Sequence, residues 1–387
     1  MLGCLLATGR NVKKHTKKQR SRDTRRTYLQ RKLGYKFYAR DSRNSRNKQE
    51  HLEQAINKKI NKLIEGGLEA SSNTDGRVTL TLPPVMNLSS QYDESMRYVN
   101  AIRALSKNPR SRRYYRLASV RFDALREISS SAALLLTSEL SRWDDSIRNN
   151  LAPQTQNWDP VIFEKFNSLG FFNLLRKAKV APPKDHKEST VHFVKYVKGN
   201  HEDKDYRELR RQLIDIIGEK VKKWPLLHGG LDEAITNVCH HAYPSTVKMR
   251  EKDRNWYLTG AFNDKTRELK IVFCDQGIGV PASLPTSKIW EKVLDSIAKV
   301  PSVNRRKHAT LLKAAMEVSR TSTDKTDRGK GLPDMKEFIR QRGAGYLALM
   351  SGHGLYKLTV NENGETHKTD TLNHPVEGTL IIWRVQL

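Results

Sequence analysis

The stretch LDEAITNVCHHAYP, residues 231–244, constrains the fold more than any other part of the chain. Its apolar positions suit a helix buried in a core. Glu233, Asn237 and His241 recur at intervals of four. On an α-helix, positions i, i+4 and i+8 drift only modestly around the axis. One face therefore carries a carboxylate, an amide and an imidazole in a row. The row is either the solvated side of an amphipathic helix or the lining of a polar site. Pro244 closes the helix.

The 387 residues suffice for two or three domains, and a hydrophobic share of 37% can supply cores of ordinary size. The net charge of +28 is uneven: residues 1–48 hold 16 Lys/Arg against only Asp23 and Asp41. Residues 10–48 interleave Tyr28, Tyr35, Phe37 and Tyr38 with that charge. Such an arm cannot bury much surface, so disorder or loose helix is expected. It is either a solvated tail or a binder of RNA, DNA or an acidic protein through phosphate contacts and some stacking. The three cysteines, Cys4, Cys239 and Cys274, show no metal-ligand spacing or disulfide framework. Cys239 and Cys274 lie in apolar runs and read as buried thiols. No run of 18 apolar residues exists. The expectation is a soluble, cytoplasmic protein with no membrane contact.

Periodicity divides the rest. Residues 47–67 show helical spacing stopped by Gly66-Gly67, and a compositional break follows at EASSNTDG. Strands are predicted at 77–83 and 114–125, and helices at 93–107, 129–143 and 159–178, the last with a turn near Gly170. Serines 129–131 can cap the second of these helices. The alternation predicts a small α/β domain over 76–185, after a basic arm and helix over 1–75. PPKDHKE, residues 182–188, reads as a linker. Beyond it come a strand at 186–199, a long helix at 202–224 and the polar-row helix. Strands follow at 255–264 and 267–279, then a helical segment of about fifty residues by the same reading. A glycine turn and helix at 328–341 precede hairpin strands at 345–360 and 378–387.

Three motifs follow the polar row. IVFCDQGIGVP (271–281) is an apolar strand ending in Asp275, Gly277 and Gly279. A buried carboxylate there can accept a hydrogen bond from an exocyclic amine such as adenine's, and glycines let a ring approach the backbone. RGKGLPDM (328–335) is a glycine turn entering a helix, whose free amides can hold phosphate. Gly378-Thr379 opens the last strand. No Walker-type loop is present.

The order E-x-x-x-N-x-x-x-H-A-Y, D-x-G-x-G-x-P, lid, G-x-G-L, then G-T and a strand resembles the GHKL ATPase superfamily, and the first motif looks most like the anti-sigma-factor serine kinases. The resemblance covers residues 190–387 and implies a Bergerat-type α/β sandwich over 186–387 that binds ATP and Mg²⁺. By that resemblance Glu233 would orient or deprotonate the nucleophile, and Asn237 would ligate Mg²⁺. Asp275 would accept the adenine amine, with Thr379 helping, and Gly277 and Gly279 would line the base. Arg328, Gly329, Lys330, Gly331 and Leu332 would form the phosphate-binding turn. His241 reads more simply as a helix-end histidine bonded to structure. Residues 115–143 and 161–175 resemble a STAS-like domain, in which Ser129, Ser130 and Ser131 occupy the turn comparable to the one that carries the phosphorylated serine in anti-sigma partners, or simply cap the helix.

A sensor histidine kinase is disfavoured, because helix 202–224 has no histidine and His228 sits in what reads as a turn. Gyrase-type and mismatch-repair-type members are disfavoured too, because they need a transducer domain after the last strand and none is expected here. The lid motif SRT (319–321) matches a prokaryotic subgroup, so a bacterial or phage-related origin is expected. Three functions follow. The first is a regulatory switch that binds and hydrolyses Mg-ATP to change contacts with a protein partner. The second is a serine/threonine kinase of the anti-sigma type. The third is a nucleic-acid-associated assembly subunit in which ATP is structural. A homo-oligomer stays open.

Overall fold

The computed structural model describes Gln19, Thr24, Arg25 and Lys58, and then residues 60–387 apart from short gaps. The gaps are 74–75, 108–115, 150, 152, 176–179, 184–188, 201–205, 218–224, 288, 299, 306 and 322–330. Most of the predicted basic arm, the start of the 47–67 helix, most of the linker and the end of the 202–224 helix lie outside the described residues. Met1–Lys62 and Leu63–Leu387 are separate units by their contacts. The account below concerns the second.

The chain is α+β. Its first strands are β1 (Glu69–Ser72), β2 (Val78–Thr81) and β3 (Val85–Met86). The break expected at EASSNTDG is thus partly strand: β1 pairs antiparallel with β2, because the Asn73–Gly76 turn reverses the chain. Helix α1 (Tyr92–Leu105) crosses over to β4 (Leu117–Arg121) and β5 (Glu127–Ile128), which run parallel to β2 and β3. Pro83 and Pro84 fall where the two parallel ladders are interrupted, since proline supplies no amide donor. The Pro84 carbonyl still accepts from the amides of Arg126 and Glu127.

Helix α2 (Ser130–Ser141) is buried along its whole length. Ser129 caps it, accepting from the Ala132 amide at 3.3 Å, as the serine run predicted. Helix α3 (Pro160–Leu169) starts under an Asp159 cap and ends at left-handed Gly170, the predicted turn.

The expected strand at 186–199 is two short ones, β6 (Val191–Phe193) and β7 (Val197–Asn200). Both pair with the same partner, β8 (Asn255–Asn263), at different heights. The residues between them are used otherwise: the Val194 amide bonds Gly260 and the Tyr196 amide bonds Leu169. Helix α4 (Arg207–Ile217) and helix α5 (Pro225–Asn237) come next. Helix α5 begins earlier than expected, so His228 is helical and not in a turn. Strand β9 (Glu268–Asp275) leads to helix α6 (Trp290–Ala298), helix α7 (His308–Thr321), helix α8 (Gly331–Arg342) and the hairpin β10 (Gly345–Asn361) and β11 (Gly364–Gln386). The last strand is far longer than the predicted 378–387.

The main sheet has the order β10-β11-β9-β8-β6, with β7 also on β8, and every pairing is antiparallel. Both faces are covered. Tyr257, Val272, Cys274, Met350 and Leu380 share a core with α1, α2 and α3. Trp256, Leu258, Phe273, Leu349 and Trp383 share a second core with α4, α5 and α8. Strand alternation sends successive residues to these opposite cores, which is why β8 is almost continuously apolar. Glycine at 260 lets α4 pack closely, because a Cβ there would lie 2.9 Å from a Leu213 methyl, which would have to shift.

Candidate functional site

Asp275 ends β9 and is 3% exposed. Its Oδ1 accepts the Gly277 amide at 2.8 Å, and Thr379 on β11 bonds it through both hydroxyl and amide. These bonds hold the charged form, yet burial outweighs them and pushes the carboxyl up to about 6, with Glu377 adding in the same direction. No cation neutralises it among the described residues. A carboxylate offers about four lone-pair sites. Three donors leave acceptor capacity for an amine.

The loop after Asp275 is held by its neighbours. The Ile278 amide bonds the Ala242 carbonyl at 2.9 Å. Ser351 Oγ donates to the Gly378 carbonyl at 2.6 Å and accepts from the Val280 amide at 3.0 Å. The glycines have a reason other than the one expected. A Cβ on Gly277 would lie 2.3 Å from the Ala242 carbonyl oxygen, and one on Gly279 would lie 2.5 Å from Ser351 Oγ. Their missing side chains make room for the protein's own backbone and hydroxyl, and Gly279 also needs its φ of 79°.

Helix α5 carries Glu233 and Asn237 and leads into the Val238–Ala242 turn, whose Ala242 abuts Gly277. Asn237 Nδ2 donates to Glu233 Oε1 at 3.3 Å. With the nitrogen committed there, the amide oxygen is the atom that can serve a hard cation. The three-residue row does not persist as predicted. Val238–Ala242 is a π turn, and its wider winding takes His241 off the α-helical spacing. Burial and then His240 lower the His241 pKa. No group of three or more His, Cys, Asp or Glu side chains that could hold a metal ion exists among the described residues. Any Mg²⁺ here would rest on Asn237 and ligand oxygens.

Arg328, Gly329 and Lys330 lie outside the described residues. Gly331 and Leu332 open α8, which packs beside α5. The structure therefore brings together Asp275, Gly277, Gly279 and Thr379, sets Glu233 beside Asn237 on α5, and starts α8 at Gly331. Cys274 is buried as expected, while Cys239 is half-buried.

A second cluster adjoins Asp275 from the other sheet face. Arg103 of α1 bonds Glu139 of α2 (Nε to Oε1, 3.0 Å) and Glu377 of β11 at 2.7 Å. Arg142 reaches Glu377 at 3.3 Å. Gln276 Nε2 donates to Glu139 Oε1 at 3.0 Å and to Ser138 Oγ at 3.3 Å. Sequence reasoning missed this cluster. Its signal was Glu139, the one charge within an otherwise apolar and hydroxylated helix. Ser351, in the apolar run before Gly352, was also missed.

Comparison of the chain with family models, curated proteins and solved structures finds no match.

Proposed function

We propose that residues 186–387 form a GHKL-type nucleotide site that binds Mg-ATP, and that turnover there switches contacts with a partner. The observation that carries the reading is Asp275: a buried carboxylate without a cation among the described residues, held by Thr379 and Gly277 with acceptor capacity to spare. Uncompensated buried carboxylates cluster at functional sites. An antiparallel sheet with this carboxylate at a strand end, and a helix bearing Glu233 and Asn237 whose following turn packs on the Gly277 loop, supports a Bergerat-type fold. The β2–α1–β4 crossover supports a STAS-like reading of residues 76–185.

In this reading Asp275 accepts the exocyclic amine of adenine. Glu233 orients the attacking water, and Asn237 Oδ1 holds the cation. Bound Mg²⁺ supplies the charge that offsets the triphosphate. By the resemblance, residues 328–332 would supply the phosphate-binding turn. Ser129 is engaged as a helix cap, and Ser130 and Ser131 are buried, so the regulatory switch is favoured over phosphorylation within this turn.

Calorimetry of the full chain with magnesium and ATP tests the site. Wild type should bind, and Asp275→Asn should bind at least about tenfold more weakly, the scale of a charged hydrogen bond. No heat at millimolar ligand overturns the reading. Labelled γ-phosphate then separates the activities: free phosphate means hydrolysis, and label on protein means a kinase. Glu233→Gln should stop turnover and spare binding. Contact with nucleic acid through residues 10–48 is a separate proposal. Unchanged low-salt affinity after their removal would refute it.

A further inference from the structure

The donors that hold Asp275 come from two chain segments, 275–277 and 377–379. Each segment also sends one side chain to the opposite sheet face. Gln276 follows Asp275 and is 2% exposed; its amide nitrogen is held by Glu139 and Ser138 of α2. Glu377 precedes Gly378-Thr379 and is held by Arg103 of α1 and by Arg142 at the end of α2. A single guanidinium, Arg103, thus bonds both Glu139 and Glu377 and cross-braces the two segments from behind.

Register makes the brace specific. The residues facing α5 and those facing α1 and α2 alternate along the same strands. Leu380 pairs with Cys274, so Thr379 stands next to Asp275 at the strand ends. The irregular stretch of the hairpin around Gly352, with Glu377 in the shift between Ser351 and Gly352, delivers that side chain to the helices. Its surplus residues lie on β11 and bond α1, through Tyr92 Oη to the His374 carbonyl at 2.7 Å and Asn100 Nδ2 to the Pro375 carbonyl at 3.2 Å. A displacement of α1 or α2 therefore moves the Gly277 and Thr379 donors relative to Asp275. The converse also holds, because coupling between two sites is reciprocal.

Resting on the nucleotide-site reading above, we propose that Gln276 and Glu377 are positioning residues through which Arg103, Glu139 and Arg142 set the affinity of the Asp275 site. The upstream helices are then part of the nucleotide site and not an independent neighbour. Whatever binds or shifts α1 and α2 changes nucleotide affinity.

Calorimetry with Mg-ATP on the full chain tests this with Gln276→Leu, Glu377→Gln and, as a control, Ser129→Ala. The control weakens α2 without touching the brace. Gln276→Leu should raise Kd about tenfold, within the range of ordinary coupling between sites. Glu377→Gln, at a partly exposed carboxylate that leaves the fold intact, should raise it severalfold. Ser129→Ala should leave Kd unchanged. Hydrogen exchange on the wild type gives a readout without substitution: Mg-ATP should slow exchange of the amides of residues 130–141. Wild-type binding with unaltered Kd in Glu377→Gln and in Gln276→Leu, or without any slowing in α2, overturns the inference alone. Absence of wild-type binding overturns the site reading and the inference with it.

Discussion

Two carboxylates are buried at one corner of the molecule, on opposite faces of the same sheet, and they are treated differently. Glu139 meets a guanidinium and an amide and has its charge matched. Among the described residues Asp275 meets only neutral donors, and burial pushes it up to about 6. The first arrangement joins elements, because buried ions are tolerated when paired. The second leaves a buried carboxylate with no counter-charge among the described residues. Burial alone therefore does not distinguish the two; the matching of charge does.

Removing the matched charge should have the largest effect. Glu139→Leu leaves Arg103 and Gln276 without their shared partner and should cost about 4 kcal/mol in urea unfolding. A loss under 1 kcal/mol would mean that the pair contributes little, as exposed pairs do.

Next comes the pH dependence of the unmatched one. Its folded value lies above the ordinary carboxyl value of 3.8. The folded state therefore holds the proton more tightly than the unfolded chain does. The resulting stability is present below about pH 4 and is lost as pH rises through about 6, some 3 kcal/mol in all. Measured from pH 4 to pH 7, wild type should lose about that much stability relative to Asp275→Asn. A flat difference would show that Asp275 is an ordinary carboxylate. Nucleotide affinity should rise over the same window, since the ionised group is the better acceptor.

The smallest effect should be at the cap. Ser129→Ala should cost about 1 kcal/mol, measured by thermal unfolding, and leave nucleotide binding unchanged. That outcome would confirm that the serine turn serves α2 and not the pocket.

Much of this was legible in the residues. The βαβ order, the serine cap, the Gly170 turn and strands β8 and β9 follow from local signals: period, capping chemistry and left-handed glycine. What was not legible depends on distant contacts. The split of 186–199 into β6 and β7 occurs because the Val194 and Tyr196 amides find partners off the ladder. The extra length of β11 comes from pairing with β10, which polar residues 364–371 do not announce. The D-x-G-x-G spacing singled out Asp275, and the structure buries it at the end of β9. The glycines' reason lay in Ala242 and Ser351, one of them more than seventy residues away in sequence. The π turn that displaces His241 leaves no mark in a period count.

Strand β11 runs through two neighbourhoods. Its first part, from Gly364 to Thr371, pairs with β10 alone, while Leu380–Gln386 lies between β10 and β9. One continuous element should therefore melt from its tip: amide protons near the Gly364 turn should trade with solvent at small opening free energies, and those beyond Leu380 only when the whole unit unravels. The hairpin would then act as a zipper, its loose end free to breathe while its root keeps Thr379 fixed.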